Sequence, residues 1–397
     1  MDGCSMIRLI VVICILLSFS VSYADDFEDF KSQNQGAFEA SKQEFTGYKK
    51  DINKSFEMYK NILDEEFSAY KSEISKKWDD TEVSTNTKWV EYLNNYKIRK
   101  IVDFDKQEIR IDVIGGSKEG LKPVLNDLLK EDKGDAFRRD PVAFNTEKRL
   151  REQVPDALTD KIHDESIVSS LYSDNKLTND DISALSDKIL KQSVTGQGTS
   201  IKTGKPYVTM TVKLPQDSYQ KSAKKITKYV DEYSDEYKLD PALIMSVIYN
   251  ESRFNPLAKS YVPAYGLMQI VPKSAGVDAI SFIEGKKRIL APSYLYNAGN
   301  NVKIGSAYLH IVYYRYFKGI KNLESRLYCS IAAYNTGAGN VAYAFNKNNG
   351  GRYSISKALP VINSMSPDDV YRHLRDNLRF AEARKYIVNV YNKMKDY

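Results

Sequence analysis

The stretch DPALIMSVIYNESRF, residues 240–254, decides how this chain is read. Asp240 can cap free amides and Pro241 fixes the first turn, so a helix starts here. Ile244, Val247, Ile248 and Glu251 then fall at helical spacing on one face, which places a carboxyl among aliphatic side chains. Asn255 and Pro256 stop the helix just beyond it. A carboxyl so placed is partly desolvated, which favours its protonated form and suits it to donate a proton near neutral pH. Carboxylates are also common at helix ends as plain caps, so the stretch by itself leaves both readings open.

Working outward, the segments YGLMQIVPKSAG, IAAYNTGAGNV and EARKYIVNV follow downstream. From Lys221 the pattern is helical nearly throughout, which predicts an all-α domain over 221–397. Within it a helix is expected from Asn300 or Asn301 to Gly319, and Ser366 with Pro367 supplies the cap and first position of another. Tyr294, Tyr296, Tyr308, Tyr313, Tyr314 and Tyr316 enrich this region in aromatic groups. Most are expected to be core or surface residues, and none is named as a ligand contact.

Toward the N-terminus, residues from Glu44 repeat every eleven positions as EFTGYKKDINK, SFEMYKNILDE and EFSAYKSEISK, then KWDD. Phe45, Phe56, Phe67 and Trp78 form one column; Tyr48, Tyr59 and Tyr70 a second; Ile52, Leu63 and Ile74 a third. Eleven residues make almost whole helical turns, so the columns predict one apolar stripe on a long amphipathic helix, an arm over 25–95. The stripe packs against the protein itself on the plainer reading, and against a membrane surface or envelope protein on the alternative. The arm is expected to place the catalytic domain and to be separable from it. YKIRKIVDF and EIRIDVI read as a hairpin around DKQ, VTMTVKL (208–214) as a third strand, GLKPVLNDLLKED and 164–192 as helices, and QSVTGQGTSIKTGKP as a loop. The expected architecture is therefore α+β: a long N-terminal amphipathic helix and a small α+β domain within 25–215, then the helical domain.

The chain's 397 residues, 42% apolar, suffice for two ordinary domains. A net charge of +6, spread without a dense basic block, argues against nucleic acid and suits an anionic polymer. The first residues show Arg8, an apolar run from Leu9 to Phe19, and Ser22 and Ala24 at small-residue positions, which predicts a secretory signal cut after Ala24. Ile13 stands before Cys14 where lipidation wants a small residue, so soluble export to the periplasm is expected, with outer-membrane association left open. Removing the signal takes Cys4 and Cys14 and leaves Cys329 as the one thiol, expected to be buried and inert. His163, His310 and His373 are far apart, and no Cys/His spacing suggests a metal; neither metal nor cofactor is expected.

In residues 238–397 the sequence resembles the catalytic domain of the lytic murein transglycosylases, which have a lysozyme-like fold. The resemblance rests on Glu251 and Ser252, on GLMQ at Gly266 to Gln269, on AYN at Ala333 to Asn335, and on the late Tyr386, all in order. The layout upstream is similar to the membrane-bound C family of these enzymes, except that the usual lipid-anchoring site is lacking. The resemblance implies that Glu251 protonates the glycosidic oxygen between N-acetylmuramic acid and N-acetylglucosamine and then acts as base. It implies that Ser252, Met268, Gln269, Tyr334, Asn335 and Tyr386 line the cleft, and that the muramyl 6-hydroxyl closes a 1,6-anhydro end. Glycosidases ordinarily need two carboxylates; no second acid recurs in these motifs, Asp278 being the nearest downstream. A hydrolytic muramidase and a non-catalytic peptidoglycan-binding scaffold are the competing readings.

Overall fold

The computed structural model describes residues 54–347 and 350–397. The expected signal peptide (1–24), its two cysteines, and Phe45, Tyr48 and Ile52 of the stripe lie outside the described residues. Residues 54–397 form one compact unit.

Residues 54–75 are helical, as the repeat requires. Phe56, Tyr59, Leu63, Phe67, Tyr70 and Ile74 are all buried. Leu63, Phe67, Tyr70 and Ile74 share a core cluster with Trp78, Ile114 and Val142, and burial of each such side chain is worth about 1.5–3 kcal/mol. Tyr70 meets Tyr92 at 6.0 Å between ring centres, and Tyr59 meets Tyr265 at 6.5 Å. This part of the stripe is thus covered by the protein itself, and it is core, not a separable arm.

The helix also ends well before residue 95. Strand β1 (Lys88–Leu93) pairs antiparallel with β2 (Ile98–Asp103), β2 with β3 (Glu108–Ile114), β3 with β5 (Pro206–Lys213), and β5 with β4 (Val194–Thr199). The sheet order is β1-β2-β3-β5-β4. The segment read as a loop therefore contains β4; it has no apolar alternation because it is a solvated edge strand, with Val194 largely exposed. Opposite residues Glu91 and Lys100 form a buried cross-strand ion pair, and Lys100 also meets Glu131 at 2.9 Å. Helices Leu121–Lys130, Lys133–Arg139 and Pro141–Gln153 follow β3. The stretch 164–192 is broken, with one turn at Ser169–Tyr172 and a full helix at Asn179–Gln192, started by a capping box of Thr178 and Asp181.

After β5 the helix Ser218–Tyr237 leads into Pro241–Ser252, and helices dominate to the C-terminus. Asp240 accepts from the Ala242 amide and Ser366 from that of Asp369, as read. Asn297 caps the helix Ala298–His310, which passes into a π-helical turn over Ile311–Tyr316. The expected start at Asn300 or Asn301 is late because Asn301 spends its side chain elsewhere. Cys329 is fully buried, and burial pushes its thiol pKa up. Among the described residues no helix is long and apolar enough to cross a membrane.

Candidate active site

The helix Pro241–Ser252 buries Leu243, Ile244, Val247 and Ile248, and its last turn delivers Glu251. Arg253 and Phe254 then turn through left-handed backbone (φ 51° and 62°), which costs roughly 1–2 kcal/mol per non-glycine residue and persists only where surroundings impose it. The imposing contacts come from the β-sheet side of the fold. Asn86 Nδ2 donates to the Glu251 carbonyl at 2.7 Å, satisfying one of the acceptors a helix end leaves orphaned. Asn255 Nδ2 donates to the Asn86 carbonyl at 3.2 Å, and Arg253 pairs with Asp105 at 2.9 Å.

Glu251 is half-buried. Its carboxyl pKa is raised to about 7, chiefly by desolvation; an interaction with the Tyr386 hydroxyl pulls it partly back and the charge of Glu382 raises it further. Tyr386 is buried, and its hydroxyl makes no well-formed hydrogen bond to a protein atom. Tyr334 lies close enough to feel the Glu251 charge, and burial holds its phenol well above the usual tyrosine range.

Glu382 is exposed and receives Asn335 Nδ2 at 3.5 Å. Its charge is felt at Glu251. Asp278 occupies a different environment: its carboxyl accepts from the Tyr316 hydroxyl at 3.1 Å, and burial raises its pKa.

The GLMQ loop is held from beneath by Asn301, which is fully buried. Its Oδ1 accepts from the Met268 amide at 2.8 Å, while its Nδ2 donates to the carbonyls of Tyr265 and Leu295 at 2.8 and 2.9 Å. Gly266 has φ +75°, and a Cβ there would fall 2.3 Å from both Asn301 Nδ2 and the Leu295 carbonyl oxygen, so only glycine fits. Gln269 is also left-handed, φ 46°, and its amide donates to the Gly266 carbonyl at 3.0 Å. Tyr334 Oη donates to the Met268 carbonyl at 2.8 Å and its ring meets Tyr308 at 5.8 Å. These links join three motifs around Glu251.

Two expected cleft residues are placed otherwise. Ser252 is fully buried and its hydroxyl donates to the Ile248 carbonyl at 3.1 Å, so it closes the helix end instead of facing a ligand. Met268 is fully buried against Gly305, where a Cβ would stand 2.3 Å from its sulfur; it fills the core under the loop instead of covering a sugar face. Gln269, Tyr334 and Asn335 keep partly exposed surface, and Tyr334 lies within reach of the Glu251 charge. Asn86 and Glu382 were not named in the sequence reading, and Asn301 and Tyr308 were named there only as a helix start and as one of several aromatic residues. Only Glu382 carried a signal, standing one turn before Tyr386 in EARKY and hence on the same helix face. Among the described residues no cluster of His, Cys, Asp or Glu is arranged to hold a metal.

Residues 228–356 match the family model described as the transglycosylase SLT domain, and residues 53–184 that of the N-terminal domain of membrane-bound lytic murein transglycosylase C. The chain is 30% identical over 316 residues to a membrane-bound lytic murein transglycosylase C from Sodalis glossinidius (strain morsitans), spanning 78% of this chain and 82% of that protein. It is 28% identical over 321 residues to the protein of the same name from Mannheimia succiniciproducens, spanning 79% and 83% respectively. Among solved structures, the 70 kDa soluble lytic transglycosylase of Escherichia coli is similar over 42% of this chain and 23% of its own, at 25% identity and a TM-score of 0.32, a likeness too slight to carry an argument.

Proposed function

The chain belongs to the membrane-bound lytic murein transglycosylase C family and is a peptidoglycan lytic transglycosylase; from that premise we propose that Glu251 is its catalytic acid and that it cuts the β-1,4 bond between N-acetylmuramic acid and N-acetylglucosamine. The carrying observation is a half-buried carboxyl at the end of an aliphatic helix face; desolvation there raises its pKa to about 7, which suits it to donate a proton at neutral pH. Protonation of the glycosidic oxygen by Glu251 breaks the bond at the muramyl C1. The charge that develops on that carbon is met by the carboxylate left behind. The muramyl 6-hydroxyl then attacks C1 and passes its proton to Glu251, which restores the acid and leaves a 1,6-anhydro end. No water enters the balance.

In this reading Gln269, Tyr334, Asn335 and Tyr386 contact the glycan, with amide and hydroxyl groups recognising N-acetyl and hydroxyl groups. Ser252 and Met268 support them from behind. Glu382 orients Asn335 and keeps Glu251 protonated through its charge, without itself activating a nucleophile. The helices from 218 onward form the lysozyme-like catalytic part, and the sheet with helix 54–75 the part that braces it, the division falling near 215–221. The relatives are membrane-bound by name, which fits an envelope location; export to the periplasm by a cleavable signal completes this proposal.

Mass spectrometry of digested sacculi tests the reaction. Anhydromuramic ends are expected, and reducing muramic ends would establish a hydrolytic muramidase instead. Glu251→Gln should abolish release while still sedimenting with sacculi; unchanged release would remove Glu251 from its role.

A further inference from the structure

Between the helix that carries Glu251 and the GLMQ loop the chain doubles back on itself. Lys259 and Tyr265 face each other in an antiparallel bridge, the Ser260 amide donates to the Ala264 carbonyl at 3.1 Å, and that of Gly266 to the Ala258 carbonyl at 2.9 Å. Tyr265 bridges in turn to Ile270, each amide donating to the other's carbonyl at 3.1 Å. That exchange closes the neck of the loop Gly266–Gln269, so whatever fixes Lys259 also fixes the neck. Lys259 is held from the sheet-bearing part of the chain. It is 3% exposed; its ammonium pairs with the Asp140 carboxylate and stands 5.7 Å from the Phe67 ring centre, and its amide donates to the Thr85 carbonyl at 3.4 Å. Asp140 is itself fixed, accepting from the amides of Val142 and Ala143 at 3.0 and 3.1 Å as the cap of the helix Pro141–Gln153.

A buried ion pair contributes little net stability, since an apolar side chain of similar volume fills the same space without the cost of desolvating two charges. What it adds is direction, because the ammonium is satisfied in one place only, against the carboxylate. Methionine could fill the space beside Phe67 without fixing where the strand sits. We propose that Lys259 is a positioning residue for the cleavage reaction: through Asp140 it ties the neck of the GLMQ loop to the sheet-bearing part, and so sets where Gln269 and the Met268 carbonyl stand. Tyr334 donates to that carbonyl at 2.8 Å, so the tie reaches two of the side chains assigned to the glycan. The proposal rests on that assignment of Gln269 and Tyr334, and it makes the sheet-bearing part a component of the cleft's geometry.

Lys259→Met in the full-length protein, methyl-labelled at methionine, separates positioning from packing. Its urea midpoint should stay near that of the parent, while kcat on soluble glycan strands falls about tenfold with KM changed less than about threefold. The Met268 methyl resonance should shift, and equally so in a Glu251→Gln background, so this readout stands or falls whatever the fate of the assigned acid. Asp140→Asn keeps an oxygen for the Val142 and Ala143 amides and removes the charge. It should lower kcat likewise, and the double variant should be no slower than the worse single one, because both break the same contact. The proposal is overturned if Lys259→Met cleaves within about twofold of the parent, if the loss lies in KM alone, if the Met268 methyl stays in place, or if the two effects on kcat multiply in the double variant. Should Lys259→Met not fold, Asp140→Asn decides by kcat and the Met268 methyl.

Discussion

Asn301→Ala tests whether the GLMQ loop is held as described. The substitution removes one acceptor and two donations at once, leaving the Met268 amide and the carbonyls of Tyr265 and Leu295 without the partners they now have at 2.8, 2.8 and 2.9 Å. Asn301 is wholly enclosed, and each buried group left unpaired costs about 1–3 kcal/mol. The three share one cavity, into which a water can enter, so the costs do not add in full. We expect about 3–4 kcal/mol, a large part of the roughly 5–15 kcal/mol that holds a domain folded. Urea unfolding followed by circular dichroism reads this as a lowered midpoint at unchanged slope. Asn301→Asp keeps the acceptor for Met268 but faces two carbonyls with a carboxylate oxygen, and should be worse still at neutral pH. Where either variant is assayed while folded, kcat should fall because Gln269 loses its fixed left-handed geometry. A loss under about 1 kcal/mol for Asn301→Ala would refute the reasoning.

Further outcomes follow from the same contacts. Ile74→Ala and Leu63→Ala should each cost about 2–5 kcal/mol in urea unfolding, and a chain lacking residues 54–80 should fail to fold; retained cleavage of soluble glycans by that deletion would restore a separable arm. The folded pKa of Glu251, raised to about 7 from 4.5, means that the native state takes up a proton the unfolded chain does not. Its cost is absent below pH 4.5 and reaches up to about 3 kcal/mol above pH 7, so Glu251→Gln should stabilise the protein at pH 8 and not at pH 4, as thermal unfolding at both values would show. The alkaline limb of the pH–rate profile should fall near 7, moving down in Glu382→Gln, which removes a repelling charge, and up in Tyr386→Phe, which removes the group that favours the carboxylate; movement in the opposite senses would contradict the assigned causes. Asn86→Ala should cost about 1–2 kcal/mol and lower kcat more than it raises KM, since it frees the end of the helix that carries Glu251.

What was legible in the sequence had a period or a cap. The eleven-residue columns identified the buried face from Phe56 to Ile74, and DP and SP marked two helix starts, because side-chain chemistry at such positions acts on the nearest turn. What was missed depends on chain distant in sequence. β4 is polar because an edge strand has little to bury. β1, Lys88–Leu93, fell inside the bounds assigned to the arm although the repeat stops at Trp78. Ser252 and Met268 sit in family motifs for reasons of support, and a motif string does not say which of its members faces outward. Asn301 looks like any asparagine in a helix; its role exists only once Met268, Tyr265 and Leu295 converge on it. Even the position of Glu251 is set partly by Asn86, a residue from the other side of the fold.

The account rests on a carboxyl that keeps its proton near neutral pH, and a carbon-13 titration of glutamate side-chain carboxyls, comparing the intact protein with Glu251→Gln, observes it directly. The resonance lost in the variant should titrate near pH 7 in the native protein. A midpoint near the ordinary 4.5 would mean that Glu251 is ionised at working pH and could not be the acid.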